Sequence, residues 1–437
     1  MLTSKALKQF LQGSNTVIFV IFGWCVAFIT YTSTYAFRKP ITAAIFEDME
    51  FWGIDYKILV ITSQVIGYTL SKFIGIKIVS ELQPANRAML ILKLIGAACL
   101  SLLLFAIVPP PYNIAFMILN GLPLGMVWGV VFTYLEGRTT TELLAAGLST
   151  TQIFSSGVVK SVGKTMTIAY GVPEIWMPFL TGIIFMVPLV LGVWLLNHIP
   201  LPSPKDIEQR TLRKPMNKTE RKKFVSTFFT GVILLLAVYI LLTVYRDFRD
   251  NFSADIWNAL GYGDDAMIFT QTETPIFIGM LIIIALMMKI KNNMLAFQIN
   301  LGLILIGGLM IGGFTFAFQS QIISPFLWLT GVGFGLYLGY VPFNIMLFER
   351  MIAAFKYVST VGFLITTADA FGYLGSLTLM IIKNFGSDNL SYLNLMIYLS
   401  YAVFAVSLVG MCWSIFYFYH KYRSKMQMNV SLQGQLG

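Results

Sequence analysis

The stretch that decides the reading is Tyr31-Thr32-Ser33-Thr34-Tyr35-Ala36-Phe37-Arg38-Lys39-Pro40, which lies inside an apolar run beginning near residue 16. An arginine within a run of this kind is costly unless it faces water or a partner, so it marks a functional site by default. Spacings of four, three and seven predict that Tyr31, Tyr35 and Arg38 share one helix face. About half a chain later a second apolar run carries Arg246 and Arg249, three residues apart. Two such sites, one near the start of each half, suggest an anion-binding cavity between two helical bundles.

Composition agrees with a membrane setting. The chain of 437 residues is 57% hydrophobic and 11% charged, which describes a polytopic membrane protein rather than a soluble core. The net charge of +10 would suit nucleic acid, but the basic residues sit in short loops between apolar runs. That is the pattern of cytoplasmic loops, and no nucleic-acid partner is expected. Cys25, Cys99 and Cys412 lie in separate apolar runs without metal-ligand spacing and read as small core- or lipid-facing residues. No metal and no cofactor is expected. The polar start, Met1 to Asn15, has no cleavage site after the first apolar run, which therefore reads as a retained helix.

Twelve helix-length apolar runs are readable, at roughly 16–46, 57–79, 87–108, 113–136, 143–169, 174–197, 224–250, 266–289, 294–318, 322–348, 352–383 and 390–420. Pro40 is expected to kink the first or to end its membrane part. Lys5, Lys8, Lys77, Arg87, Arg138, Lys289, Lys291, Arg350, Lys356, Lys421, Arg423 and Lys425 all fall on one side of this topology. Glu47, Asp48, Glu50, Asp55, Asp250, Asp255, Asp264 and Asp265 fall on the other. Both termini are therefore expected in the cytoplasm. The polar loop 200–223, with Pro202, Pro204, Pro215 and the cluster Arg221-Lys222-Lys223, predicts a hinge between two six-helix bundles, 1–199 and 224–437. The halves also echo each other: the stretch from Phe37 to Phe46 resembles that from Phe248 to Trp257, each at the end of its half's first helix.

Other polar residues sit inside the runs. Tyr68 and Lys72, four apart, share a face of the second helix, and a lysine there needs water or an anion. Asp247 and Asp250 are placed to neutralise Arg246 and Arg249 as a structural cluster. Lys160 and Lys164 in the fifth helix either extend a basic lining or mark its outer end. Glu273 in the eighth helix is a candidate partner for an arginine or lysine, and a candidate proton carrier. Asp369 in the eleventh is similarly placed, whereas Glu349 and Arg350 read as loop-anchoring charges. His198 and His420 lie at helix ends, and there is no glycine-rich phosphate loop, His–Glu metal motif or nucleophile elbow, so no enzyme is expected.

Six plus six helices around a polar loop resemble the major facilitator superfamily. Within it the chain is similar to the organophosphate:phosphate antiporter family, and to its glycerol-3-phosphate transporters in particular. The resemblance rests on Tyr31 through Lys39, on Gly67 through Phe73, on Tyr337 followed by Glu349, and on Phe371-Gly372-Tyr373-Leu374-Gly375. It implies that the substrate phosphate is held by Arg38 and Arg246, helped by Lys72 and by Tyr31, Tyr35, Tyr68, Tyr337 and Tyr373. Arg249 is the alternative to Arg246: the family's spacing to Ser253 selects Arg246, the internal repeat selects Arg249, and Arg246 is preferred because it lies deeper. The chain departs from the family at Ser155, where the family has a histidine. It departs again at Gly75 to Glu81 and at Lys289 to Asn292, where the cytoplasmic signatures are degraded.

The expectation is thus an all-α membrane protein of the major facilitator fold, located in a bacterial inner membrane and acting as a monomer. It would exchange a small phosphorylated anion for inorganic phosphate. Two alternatives stand beside it: a proton-coupled transporter of another organic anion, with Glu273, Lys160 and Asp369 as coupling or ion-pair candidates, and a transporter-shaped anion sensor.

Overall fold

The computed structural model describes residues 5–203, 206, 218–355, 362–385 and 391–434. Among them are twelve long helices: α1 (Thr16–Tyr35), α2 (Tyr56–Ser80), α3 (Arg87–Ile107), α4 (Ile114–Phe132), α5 (Thr141–Tyr170), α6 (Met177–Leu196), α7 (Lys218–Asn251), α8 (Ile268–Met288), α9 (Asn293–Gln319), α10 (Pro325–Ile345), α11 (Gly362–Phe385) and α12 (Tyr392–Gly434). Ten helices are long and apolar enough to cross a membrane. In a hydrocarbon setting every backbone group must be satisfied within its own helix, which is why these apolar runs take this form. α5 is not among the ten, and its sequence shows why: it is rich in serine and threonine and carries Lys160 and Lys164.

Side chains fix several helix starts. Asn15 accepts the N–H of Ile18, Asp55 accepts that of Lys57 at 2.7 Å, Asn292 accepts that of Leu295, and Ser324 accepts that of Leu327 just ahead of Pro325. Each satisfies a donor that a helix N-terminus leaves open.

Three boundaries differ from the sequence expectation. α1 ends at Tyr35, not near 46, because Pro40 starts a separate 3-10 turn, Pro40–Ala43. α10 ends at Ile345, and a separate short helix, Leu347–Ala354, which holds Glu349 and Arg350, spans the end of the tenth run and the start of the eleventh. Between α1 and α2 lies a small unexpected hairpin, Glu50–Phe51 paired with Ile54–Asp55. Its two-residue turn, Trp52 and Gly53, has φ of 57° and 72°, the left-handed pair that matches strand twist.

By contacts the chain forms two compact units. The first comprises Met1–Thr211, Asp247–Leu281 and Leu377–Asn394; the second comprises Leu212–Arg246, Ile282–Ser376 and Leu395–Gly437. This grouping cuts α7, α8, α11 and α12, and most of the polar loop lies outside the described residues.

In the first unit α2 packs on α4, and α1 packs on α5 and α6. The α2–α4 crossing is a backbone contact. A Cβ on Gly67 would lie 2.1 Å from the Ile118 carbonyl oxygen, and one on Gly121 would lie 2.2 Å from that of Gln64. Without a hydrophobic drive between helices, close approach over small residues is what makes such packing favourable. In the second unit α9 packs on α10 in the same manner, a Cβ on Gly307 falling 2.4 Å from the Gly335 oxygen. Gly121→Val is expected to lower the thermal unfolding midpoint in detergent, by the equivalent of about 2 kcal/mol or more. Gly96→Val on α3, where no atom lies within 4 Å of the new Cβ, should leave the midpoint unchanged.

Candidate functional site

The first cluster forms where α1 stops. Arg38 and Lys39 occupy a turn whose N–H groups return to the Tyr35 carbonyl at 3.0 and 2.9 Å. Arg38 thus follows directly on the last turn of α1, within electrostatic reach of Tyr31 together with Tyr35, Tyr68 and Lys72. The turn's carbonyls are taken by buried amides. Asn120 donates to the Phe37 oxygen at 3.1 Å, and Gln64 to the Arg38 oxygen at 3.2 Å and to the Asn120 side chain at 2.7 Å. Gln64 is one turn before Tyr68 on α2, so the same helix that holds the turn also supplies what the arginine meets.

Arg38 lies with its guanidinium carbon 3.7 Å from the centre of the Tyr68 ring, and the Lys72 ammonium is 5.5 Å from that ring. The four-residue spacing of Tyr68 and Lys72 produces this arrangement directly. Tyr31 and Tyr35 are buried in the same unit and meet edge to face at 5.3 Å. A cation over a desolvated aromatic face gains about 2 kcal/mol.

The second cluster is a chain of buried charges. Asp250, on the last turn of α7, accepts from the Lys160 ammonium and the Ser156 hydroxyl, each at 2.5 Å, and pairs through its other oxygen with Lys39. Lys39 also donates to Asn251 at 2.9 Å, and Lys160 to Ser253 at 3.1 Å. Lys39 and Lys160 are only 5% and 3% exposed. Arg249 donates to Glu273 at 2.7 Å. Lys39 and Lys160 thus share Asp250, and Arg249 takes Glu273. Burial lowers the Lys39 ammonium to about 8, against Asp250, which raises it.

Backbone proximity sets Glu273 here. α8 approaches α5 at Gly157, where a Cβ would sit 2.8 Å from the Phe269 oxygen and 3.0 Å from Glu273 Cγ. Ser161 of α5 accepts from the Thr270 hydroxyl at 2.8 Å, and Ser155 meets Thr32 of α1 at 2.7 Å. A further ion pair joins Lys57, fully buried at the start of α2, to Asp255 at 2.6 Å. Burial raises the Asp255 carboxyl, with Lys57 opposing. Asp55, beside Lys57, accepts from the Tyr392 hydroxyl at 3.1 Å.

In the second unit Arg246 donates to the hydroxyl of Tyr340 and lies 4.4 Å from the centre of its ring. Tyr340 stacks on Tyr239 at 5.3 Å and 16°, and the Tyr239 hydroxyl is 3.3 Å from both the Tyr340 hydroxyl and Asn344 Oδ1. Tyr337 and Tyr373 are buried in the same unit.

Several expectations are corrected. Asp250, one of the two carboxylates that could neutralise Arg246 and Arg249, serves Lys39 and Lys160, and Arg249 donates to Glu273. Lys160 is an ion-pair member. The side chain of Asp369 lies outside the described residues. Lys39, Lys57, Asp255, Tyr239 and Tyr340 are participants that sequence reasoning missed. Two signals for them were present: Lys39 follows Arg38 directly, and Tyr340 is one helical turn beyond Tyr337.

Removing one member of a buried pair strands the other, at a cost of about 3–5 kcal/mol. Arg249→Met should therefore lower the unfolding midpoint markedly, while Arg249→Met combined with Glu273→Leu should recover most of the loss. Thermal unfolding of both variants checks this.

Solved structures share the architecture. A crystal structure of a D-xylose-proton symporter superposes with a TM-score of 0.58 at 13% identity, covering 92% of this chain and 97% of that one. A crystal structure of the nucleoside transporter NupG gives 0.59 at 12% identity, covering 91% and 99%. At these identities the likeness shows the fold, a major facilitator membrane fold, and the chain is an integral multi-pass membrane protein. No curated protein matches the sequence. The model of a family described as "Family of unknown function (DUF5690)" matches residues 40–421, and the chain belongs to that family.

Proposed function

We propose that this protein is a secondary transporter of a small phosphorylated organic anion, exchanged for inorganic phosphate, with Arg38 and Arg246 as the principal anion ligands. The observation that carries the reading is the seating of these two guanidinium groups: each is set against a tyrosine, Arg38 on Tyr68 and Arg246 on Tyr340. Arg249 donates to the carboxylate of Glu273, and Arg246 is preferred as the second ligand because it lies deeper along the helix. Arginine's planar fork of donors suits phosphate oxygens. Lys72, beside Tyr68, adds a third cation, and Tyr31, Tyr35, Tyr337 and Tyr373 are the accompanying phenols. A phosphate dianion offsets two guanidinium charges. Its binding therefore stabilises whichever conformation uses both, a gain the empty protein lacks. The likeness to a sugar symporter and a nucleoside transporter supports transport as the activity. The one-sided distribution of loop lysines and arginines supports both termini in the cytoplasm, and the family resemblance is what supports a bacterial inner membrane.

The test is counterflow of radiolabelled phosphate in proteoliposomes. Arg38→Ala and Arg246→Ala are each expected to reduce exchange by about 100-fold or more, two charge-assisted contacts being lost each time. Full exchange by either variant would remove the reading. Ligand binding without any flux in the wild type would favour a sensor.

A second reading has its own observation. Among the described residues, Oε2 of Glu273 is buried without a hydrogen-bond partner, and a carboxylate oxygen so placed is one that can take up and release a proton. If transport is proton-coupled through this residue, uptake follows an imposed pH gradient, and Glu273→Gln abolishes that dependence while leaving exchange at equal pH intact. Uptake indifferent to the gradient rules this reading out.

A further inference from the structure

The second unit holds an arrangement that the anion-binding reading does not by itself require. Arg246 is gripped twice by one residue, through a hydrogen bond to the Tyr340 hydroxyl and through contact with its ring at 4.4 Å. Tyr340 is in turn fixed by Tyr239, whose ring stacks on it nearly parallel and whose hydroxyl lies 3.3 Å from both the Tyr340 hydroxyl and Asn344. Tyr239 and Tyr340 are 1% and 4% exposed. Packing leaves them little freedom: Tyr239 also meets Phe343 edge to face at 5.1 Å, and Gly339, beside Tyr340, leaves only 3.2 Å between a would-be Cβ and Leu242 of α7.

The Tyr340 hydroxyl and ring fix the direction of the Arg246 guanidinium. A flexible arginine loses side-chain freedom when it binds, and a holder that meets this cost in advance raises affinity by preorganisation.

We propose that Tyr340, backed by Tyr239, is a positioning residue that preorganises Arg246 for an anionic substrate. This rests on the reading of Arg246 as an anion ligand. The device predicts a defect in binding more than in turnover, because it acts on the aim of the guanidinium and not on the conformational cycle.

The experiment is phosphate binding and phosphate counterflow with the full-length protein, comparing wild type, Tyr340→Phe, Tyr340→Leu, Tyr239→Phe, Arg246→Ala and the double variant Arg246→Ala/Tyr340→Phe. Tyr340→Phe keeps the ring and loses the hydroxyl. It should weaken phosphate binding about tenfold, as expected for one hydrogen bond to a charged group, with maximal counterflow within about twofold of wild type. Tyr340→Leu loses both contacts and should weaken binding further. Tyr239→Phe, which removes a single buried hydroxyl and keeps the stack, should show a smaller loss of the same kind. In the Arg246→Ala background, Tyr340→Phe should add no further loss, since a residue that acts through Arg246 has nothing left to position. Wild-type affinity in Tyr340→Phe, or losses that add fully with Arg246→Ala, would overturn this proposal alone. Failure of the wild type to bind phosphate would instead overturn the underlying reading of Arg246, and this proposal with it.

Discussion

Much of the first unit is organised around one carboxylate. Asp250 is shared by Lys39 and Lys160, both buried, and by the hydroxyl of Ser156. Charges taken out of water are tolerable only when paired and hydrogen-bonded, and removing one partner leaves the other stranded. Two lysines that share one acid tie three places together: the turn after α1, the middle of α5 and the last turn of α7. Arg249 and Glu273 extend the same logic to α8, and Lys57 and Asp255 extend it to the start of α2. The positions of these elements follow from the requirement that none of these charges be left alone.

Aromatic rings are the other element in this arrangement. Arg38 lies over the ring of Tyr68, and Arg246 meets both the ring and the hydroxyl of Tyr340. A guanidinium set on a buried ring is oriented by it, because the flat cation and the ring face attract each other only in a narrow range of geometries. Packing that fixes the tyrosine therefore also fixes where the arginine points.

The backbone supplies the precision these contacts need. Pro40 cannot continue a helix, so the chain unwinds after Tyr35. The carbonyls thereby exposed are met by Gln64 and Asn120, which belong to the two helices that Gly67 and Gly121 allow to touch. Arginine, capping amides and aromatic partner are therefore held by one rigid crossing, and rigid elements place side chains better than loops do.

Some of this was legible in the amino-acid order alone. The apolar runs required helices, because hydrocarbon offers the backbone no partner outside them. The four-residue step from Tyr68 to Lys72 required a shared face, because helical periodicity is local. Pro40 required an interruption for the same local reason. The identity of ion-pair partners was not legible. Asp250 lies next to Arg249 and one turn from Arg246 in the chain, yet its lysines come from 211 and 90 residues earlier, and nothing in local spacing selects a partner that distant. Arg246 and Arg249 share a helix face by sequence, and only the packing of α8 and α10 gives one a carboxylate and the other a phenol. Periodicity is a property of the chain, whereas the pairing of buried charges is decided by which helices close packing brings together.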